Sequence, residues 1–72
     1  MKREKITIDS EIIRLDAFLK FCGVFVTGGQ AKRMIQEGFV KVNGETCLMR
    51  GKKLKSGDEA EFDGVVYEVC TR

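Results

Sequence analysis

Two adjacent glycines, Gly28 and Gly29, stand shortly before two adjacent cations, Lys32 and Arg33. If a helix begins at the glycines, its first N–H groups have no partner within the helix and carry a partial positive charge. Glycine has no Cβ, so an anion could approach that backbone closely, with both cations one turn further on. The pattern is compatible with a surface that contacts phosphate. The alternative is that the glycines merely turn the chain between two helices and that both cations are solvated.

The residues around the glycines predict such a helix. Thr27 followed three residues later by Gln30 fits a capping box, in which side-chain oxygens satisfy N–H groups at a helix start. Gly38 fits the residue just past a helix end. At 100° per residue one side of this helix is apolar, and the opposite side is a polar face formed by Gly29, Lys32, Arg33 and Gln36.

Periodicity predicts the remaining elements. Apolar residues at i, i+3, i+4 and i+7 predict a first helix over residues 14–22, which Gly23 ends. Alternation predicts strands over residues 5–8, 39–42, 45–48, 59–62 and 65–69. Asn43-Gly44 and Asp63-Gly64 are typical of two-residue hairpin turns, and residues 50–55 read as a basic loop. The elements predict an α+β domain, a two-helix pair on a small, mostly antiparallel sheet.

Charge is distributed unevenly along the chain. Residues 1–56 carry twelve of the thirteen Lys and Arg residues and six of the eleven acids, whereas residues 57–72 carry five acids and Arg72. A basic portion beside an acidic end favours a polyanion-binding footprint on one face of the domain. The alternative is that these charged residues only form a solvated surface.

Composition argues against several kinds of site. The three cysteines form no CxxC pair and the chain has no histidine, so a zinc site lacks ligands and the cysteines are expected to be small buried hydrophobes. Asp16 has no carboxylate nearby in sequence to form a catalytic pair, so it is expected to orient a cation or a helix end. We therefore expect no catalytic residue, metal or cofactor. No stretch approaches about 20 apolar residues, so we expect no membrane partner. We also expect the protein to be cytoplasmic and monomeric.

Four sequence blocks resemble the S4 RNA-binding domain family in order and spacing. They are Arg14-Leu15-Asp16, Ala31-Lys32 with Ile35, Gly38-x-Val40-Lys41-Val42-Asn43-Gly44, and Lys55-x-Gly57-Asp58. The chain looks most like the stand-alone, single-domain bacterial members. The resemblance implies one domain over residues 1–72, with an alpha-L type RNA-binding motif over about 13–58 and a C-terminal β-hairpin over 59–70.

The resemblance also implies that the second helix and the basic loop bind structured RNA, such as ribosomal RNA or a ribosome assembly intermediate. By position, Arg14, Lys32 and Lys41 match basic residues of the family. Many relatives have Ser-Arg where this chain has Thr27-Gly28, so a family arginine is missing at position 28. The candidate RNA-contacting residues are Arg14, Gly28, Gly29, Gln30, Lys32, Arg33, Gln36, Lys41, Asn43, Arg50, Lys52 and Lys53.

Aromatic residues bear on the kind of RNA. Readers of single-stranded RNA stack bases on exposed aromatics, whereas Phe18, Phe25, Phe39 and Phe62 fall at core-like positions. We therefore expect recognition of folded or duplex RNA. One alternative is a protein-interaction adaptor that uses the acidic C-terminal hairpin without nucleic acid. A second, a ubiquitin-like sulfur carrier, needs a C-terminal Gly-Gly, but this chain ends Cys70-Thr71-Arg72.

Overall fold

Two helices lie against a mostly antiparallel sheet in residues 2–72, the part of the chain that this computed structural model describes. The order in this range is β1 (Lys2–Ile8), β2 (Ile12–Arg14), α1 (Leu15–Phe21), α2 (Gly28–Gln36), β3 (Lys41–Val42), β4 (Glu45–Thr46), β5 (Lys53–Lys55), β6 (Glu59–Phe62) and β7 (Val65–Thr71). One sheet has the strand order β1-β7-β6-β3-β4, and β2 and β5 form a separate two-stranded ribbon. Strands β1 and β7 are parallel, and the other pairs are antiparallel. The predicted α+β class is confirmed.

Both helices, the sheet and the ribbon contribute to one hydrophobic core. Helix α1 buries Leu15, Phe18 and Leu19, which recur on one side of the helix. Helix α2 buries Ala31 and Ile35. The strands and the extended residue before β3 complete the core with Ile8, Val40, Val42, Leu54, Ala60 and Val69. Within the described range, no helix is long and apolar enough to cross a membrane.

Both predicted hairpin turns are confirmed by their backbone angles. Asn43 and Gly44 have φ of 51° and 86°, and Asp63 and Gly64 have φ of 51° and 79°. Positive φ at both central residues is the requirement of a type I′ turn, which matches the twist of the flanking strands. The turns therefore set the register of β3 with β4 and of β6 with β7.

The ribbon of β2 and β5 was not predicted. The sequence predicts a basic loop at residues 53–55 and a helix start at Arg14, but Ile12 pairs with Lys55 and Arg14 with Lys53. Three residues are too few for a period to be recognised, and the partner strand lies about 40 residues away in sequence. Smaller differences are that β1 starts at Lys2 and that β4 ends at Thr46.

The alternative in which Gly28 and Gly29 turn the chain is wrong. They are the first two residues of α2, and neither has positive φ. A Cβ placed on Gly28 would have no tertiary contact within 4 Å among residues 2–72, and one on Gly29 would lie 3.8 Å from Thr27 Oγ1. The conformation between the helices that favours glycine is instead at Gly23, with φ of 81°. The predicted helix start is confirmed.

Two predictions of burial need correction. Phe39 is 58% exposed, because it lies on the outer side of an extended segment whose next residue, Val40, points into the core. Phe18 and Phe25 are buried as predicted, and the half-buried Phe62 packs against Phe25 with ring centroids 5.0 Å apart. The cysteines Cys22, Cys47 and Cys70 are half-buried rather than buried, and their thiols are free.

Candidate nucleic-acid interface

The start of α1 holds the basic loop in place by backbone hydrogen bonds. Leu15 N donates to Lys52 O at 2.8 Å, and Asp16 N donates to Arg50 O at 3.1 Å. The Arg14 guanidinium lies against the same loop, since a Cβ on Gly51 would be 3.9 Å from Arg14 Nε. The fold thus brings Arg14 to residues 50–52, which are far from it in sequence.

Asp16 orients its neighbours, as predicted. One carboxylate oxygen accepts from Ala17 N at 2.8 Å, and the other accepts from Arg14 Nη2 at 3.1 Å. The first contact satisfies an N–H group at the start of α1, and the second holds the guanidinium beside the loop.

The outer side of the ribbon is cationic. Because Leu54 is buried and alternate residues of a strand point to opposite sides, Lys53 and Lys55 face outward. Arg14 is the register partner of Lys53. These three residues and the loop cations form what we call the basic cluster: Arg14, Arg50, Lys52, Lys53 and Lys55. Within residues 2–72 no carboxylate lies within 4 Å of the ammonium or guanidinium group of the last four.

A depression between the helices connects the basic cluster to the start of α2. It has a volume of about 240 Å³ and is lined by Arg14, Asp16, Ala17, Lys20 and Gly28. Its lining combines the small residues Ala17 and Gly28 with the long cationic side chains of Arg14 and Lys20. The structure therefore brings together two residues that were selected separately from sequence, Arg14 and Gly28.

The predicted cap by Thr27 at the start of α2 is confirmed, but the Gln30 side chain bonds the residue before the N-cap and not Thr27 itself. Thr27 Oγ1 accepts from Gln30 N at 3.2 Å, and Gln30 Oε1 accepts from Val26 N at 3.1 Å. On the polar face of α2, Lys32, Arg33 and Gln36 are exposed, as expected. Arg33 forms an i,i+4 ion pair with Glu37 at 2.8 Å. This exposed pair is worth little in stability, so Arg33 is available to another partner at small cost.

Lys41 lies in β3 outside the basic cluster, whereas Asn43 lines a pocket of about 370 Å³ together with Lys52, Lys53 and Lys55 of the cluster. Lys41 lies on the opposite side of β3 from the buried Val42, and its register partner on β6 is Glu61. The Asn43 side chain is engaged internally, since its Oδ1 accepts from Glu59 N at 2.9 Å and its Nδ2 donates to Asp58 Oδ1 at 3.2 Å. Asn43 therefore fastens the β3–β4 hairpin to the turn before β6.

Three residues near this surface were not selected from sequence. Lys55 belonged to the predicted basic loop, and its spacing of two from Lys53 is the signal that both share one side of a strand. Lys20 borders the depression, and only the packing of α1 on α2 reveals this position. Phe39 was assigned to the core.

The Cys22 thiol does not act as a nucleophile at neutral pH. Burial raises the pKa of the Cys22 thiol to about 12, and the nearby Glu4 carboxylate raises the pKa further in the same direction. Cys22 is therefore protonated at neutral pH, and a protonated thiol is a poor nucleophile. The groups that the site does offer are cations and backbone N–H groups.

Comparison with known proteins agrees with this architecture. Residues 6–70 match the family described as S4 domain. A curated relative, the probable ribosome maturation protein RlbA of Bacillus subtilis (strain 168), is 46% identical over 59 residues, which are 82% of this chain and 83% of that protein.

A crystal structure of the 30S ribosomal protein S4e from Thermoplasma acidophilum superposes with a TM-score of 0.61 at 22% identity. The match covers 83% of this chain but 32% of the ribosomal protein, so this chain spans about a third of that structure and the likeness concerns the fold. Since the family match extends over nearly all of the sequence, the predicted resemblance is confirmed. The chain belongs to the S4 domain family.

Proposed function

We propose that this protein binds structured RNA, either ribosomal RNA or the RNA of a ribosome assembly intermediate, and that it does so without catalysing a reaction. The observation that carries the proposal is the basic cluster, in which Arg14 and the cations of residues 50–55, two segments distant in sequence, meet on one surface. Arg14 and Lys53 are directly opposite each other in the ribbon, an arrangement of like charges that disfavours folding. Phosphate groups bound there would offset that repulsion.

Membership of the S4 domain family and the name of the curated relative, a probable ribosome maturation protein, support RNA of the ribosome as the partner. The physical properties of the surface fit that partner. The deep major groove of duplex RNA is closed to side chains, so phosphates and 2′-hydroxyls are what a cationic surface can contact. Arginine suits bidentate contacts to phosphate, and lysines add charge with little dependence on sequence.

The proposed footprint has three parts in contact with one another. The basic cluster contacts one stretch of RNA backbone, and the depression bordered by Arg14 and Lys20 receives the next phosphates. The start of α2, with Gly28 and Gly29 unshielded by side chains, and the polar face with Lys32, Arg33 and Gln36 complete the footprint. The absence of a side chain at position 28 leaves room for phosphate where many relatives have arginine.

The test compares two variants that lose the same charge from different surfaces. In the first, Arg50, Lys52 and Lys53 are replaced by alanine, and in the control, Lys2, Lys5 and Arg72 are replaced by alanine. Affinity for purified ribosomal RNA is measured across a salt series. For the parent, log affinity should fall linearly with log salt. The slope should become shallower by about 2 to 3 in the first variant and change little in the control.

Two results would contradict the proposal. A parent protein whose affinity for ribosomal RNA is undetectable, or independent of salt, would favour the adaptor that uses the acidic hairpin. Equal effects of the two triple variants would mean that RNA senses only the overall charge of the protein and not the basic cluster.

A further inference from the structure

An aromatic ring and two aliphatic side chains form an exposed apolar patch next to the basic cluster. Phe39, Leu48 and Met49, which we call the Phe39 patch, are 58%, 57% and 67% exposed. Cys47 N donates to Val40 O at 3.0 Å, which extends the pairing of β3 with β4 beyond Lys41 and Thr46. Continuing this register places Phe39 opposite Leu48. A Cβ on the adjacent Gly38 would lie 3.8 Å from Leu48 Cδ2, in agreement with that position.

The Phe39 patch is continuous with the basic cluster. Met49 directly precedes Arg50, whose carbonyl oxygen accepts from Asp16 N. A pocket of about 310 Å³ is lined by Leu48 and Met49 together with Lys52 of the cluster. Phe39 does not line this pocket but lies beside it, opposite Leu48, so a ligand that covers the Phe39 ring can also reach Lys52.

Acidic groups close to the patch are few in the described part of the chain. Glu37 is engaged by Arg33, and Glu61 faces Lys41 across the β3–β6 pair. Glu45 lines the shared pocket at its hairpin end. Because Glu61 offsets part of the charge of Lys41, the positive potential at the patch comes mainly from residues 50–53.

We propose that the Phe39 ring stacks on an unpaired base of the RNA whose backbone the basic cluster binds, an inference that rests on the proposed function. A nucleotide carries a flat base and, a few bonds away, a charged phosphate. The base can stack on the exposed ring while the phosphate binds the nearby lysines. Bases stack on aromatic rings whatever their identity, because every base has a π-face. The target RNA then has an unpaired nucleotide beside its duplex. The expectation of folded or duplex RNA is kept, and base stacking is added to it.

A second exposed phenylalanine supplies a matched control. Phe21 is 57% exposed, nearly the same as Phe39, but it is the last residue of α1, whereas Phe39 lies opposite Leu48, which lines the pocket shared with Lys52. If exposed aromatics contacted RNA indiscriminately, substitutions of the two residues would have similar effects.

The first test measures affinity for purified ribosomal RNA in Phe39→Leu, Phe39→Tyr and Phe21→Leu. Leucine at position 39 keeps an apolar contact with Leu48 and removes the ring, so affinity should fall at least about fivefold, from the usual contribution of base stacking. Tyrosine keeps the ring and should bind like the parent, as should Phe21→Leu. The salt slope should be the same in all four proteins, because stacking neutralises no phosphate.

The second test uses the RNA of the cell. Cells that express the intact protein are irradiated with ultraviolet light, and nucleotide adducts are mapped on its peptides by mass spectrometry. The inference expects an adduct on Phe39 and none on Phe21. If Phe39→Leu binds ribosomal RNA like the parent and adducts occur only in residues 50–53 or α2, the stacking is wrong and the proposed function stands. If the parent binds no RNA, the proposed function itself fails.

A protein partner is the competing occupant of the Phe39 patch. In that case Phe39→Leu would leave RNA affinity unchanged. A chemical crosslinker in cells would join a lysine close to Phe39, such as Lys41, to another protein. That outcome overturns the proposal.

Discussion

The outer side of the five-stranded sheet and the basic cluster are both rich in charge, but they satisfy it differently. On the sheet, Arg3 is paired with Glu59 and lies 3.9 Å from Glu68. In the basic cluster, Lys52 and Lys53 have no carboxylate within 4 Å among residues 2–72. The charge of Arg3 is therefore neutralised within the domain, whereas the charges of Lys52 and Lys53 are not. The net charge of +2 conceals this division.

The comparison makes a general expectation for substitutions. Residues whose polar groups are satisfied inside the domain should affect stability and leave RNA binding of the folded protein unchanged. Residues of the basic cluster should do the reverse. The predictions below run from the largest expected effect to the smallest.

Asn43→Ala should lower the free energy of unfolding by about 3 kcal/mol. It removes side-chain hydrogen bonds to Asp58 and Glu59 and places alanine at a φ of 51°. Urea denaturation measures the loss. Asn43→Gly, which loses the same hydrogen bonds without the strain, should recover about 1 kcal/mol. A stable Asn43→Ala protein with weakened RNA binding would instead make Asn43 an RNA contact, as was predicted from the sequence.

Lys53→Ala should weaken RNA binding and slightly stabilise the fold. One lost phosphate contact should make the salt slope shallower by about 1. Removing a cation opposite Arg14 should raise the free energy of unfolding by a few tenths of a kcal/mol, roughly the size of a cross-strand pair effect. Filter binding and thermal unfolding are measured on the same preparation. If Lys53→Ala instead loses stability and binds RNA like the parent, Lys53 stabilises the fold and is not an RNA contact.

Gly29→Ala should raise the free energy of unfolding by about 0.5 to 1 kcal/mol, because Gly29 is helical and a Cβ there meets no close contact. Gly38→Ala is the control, and it should destabilise by about 1 kcal/mol because Gly38 has φ of 86°. Destabilisation by Gly29→Ala would show that its backbone departs from a helix.

Gly28→Arg should steepen the salt slope of RNA affinity by about 1, since it adds a cation at the depression.

Arg3→Ala should have the smallest effect, a loss of about 0.5 kcal/mol in the free energy of unfolding. Exposed ion pairs contribute little, but here the substitution leaves Glu59 and Glu68 opposite each other in neighbouring strands. The difference from the parent should shrink in 1 M salt, where the screening length is about 3 Å. RNA affinity should stay unchanged apart from the general effect of one charge. A loss of affinity as large as that of Lys53→Ala would extend the footprint to the sheet.

Local features of the fold were predictable because short segments determine them. The cap at the start of α2 involves residues 26–30 alone, and the two type I′ turns need only Asn43-Gly44 and Asp63-Gly64. The amphipathic period of α1 likewise identifies its buried side within seven residues. Each of these predictions agrees with the structure.

The candidate site also has features that the sequence predicts and features that only the tertiary structure reveals. The sequence by itself determined which residues are cationic, where the helices start, and the S4 family pattern. Only the tertiary structure decided that Arg14 lies against residues 50–52, that Lys41 pairs with Glu61 of β6, and that Phe39 is exposed. Residue type and local spacing set backbone preferences, but which side chains become neighbours depends on pairing between distant segments. The ribbon of β2 with β5 is such a pairing, and it joins the cations into one surface.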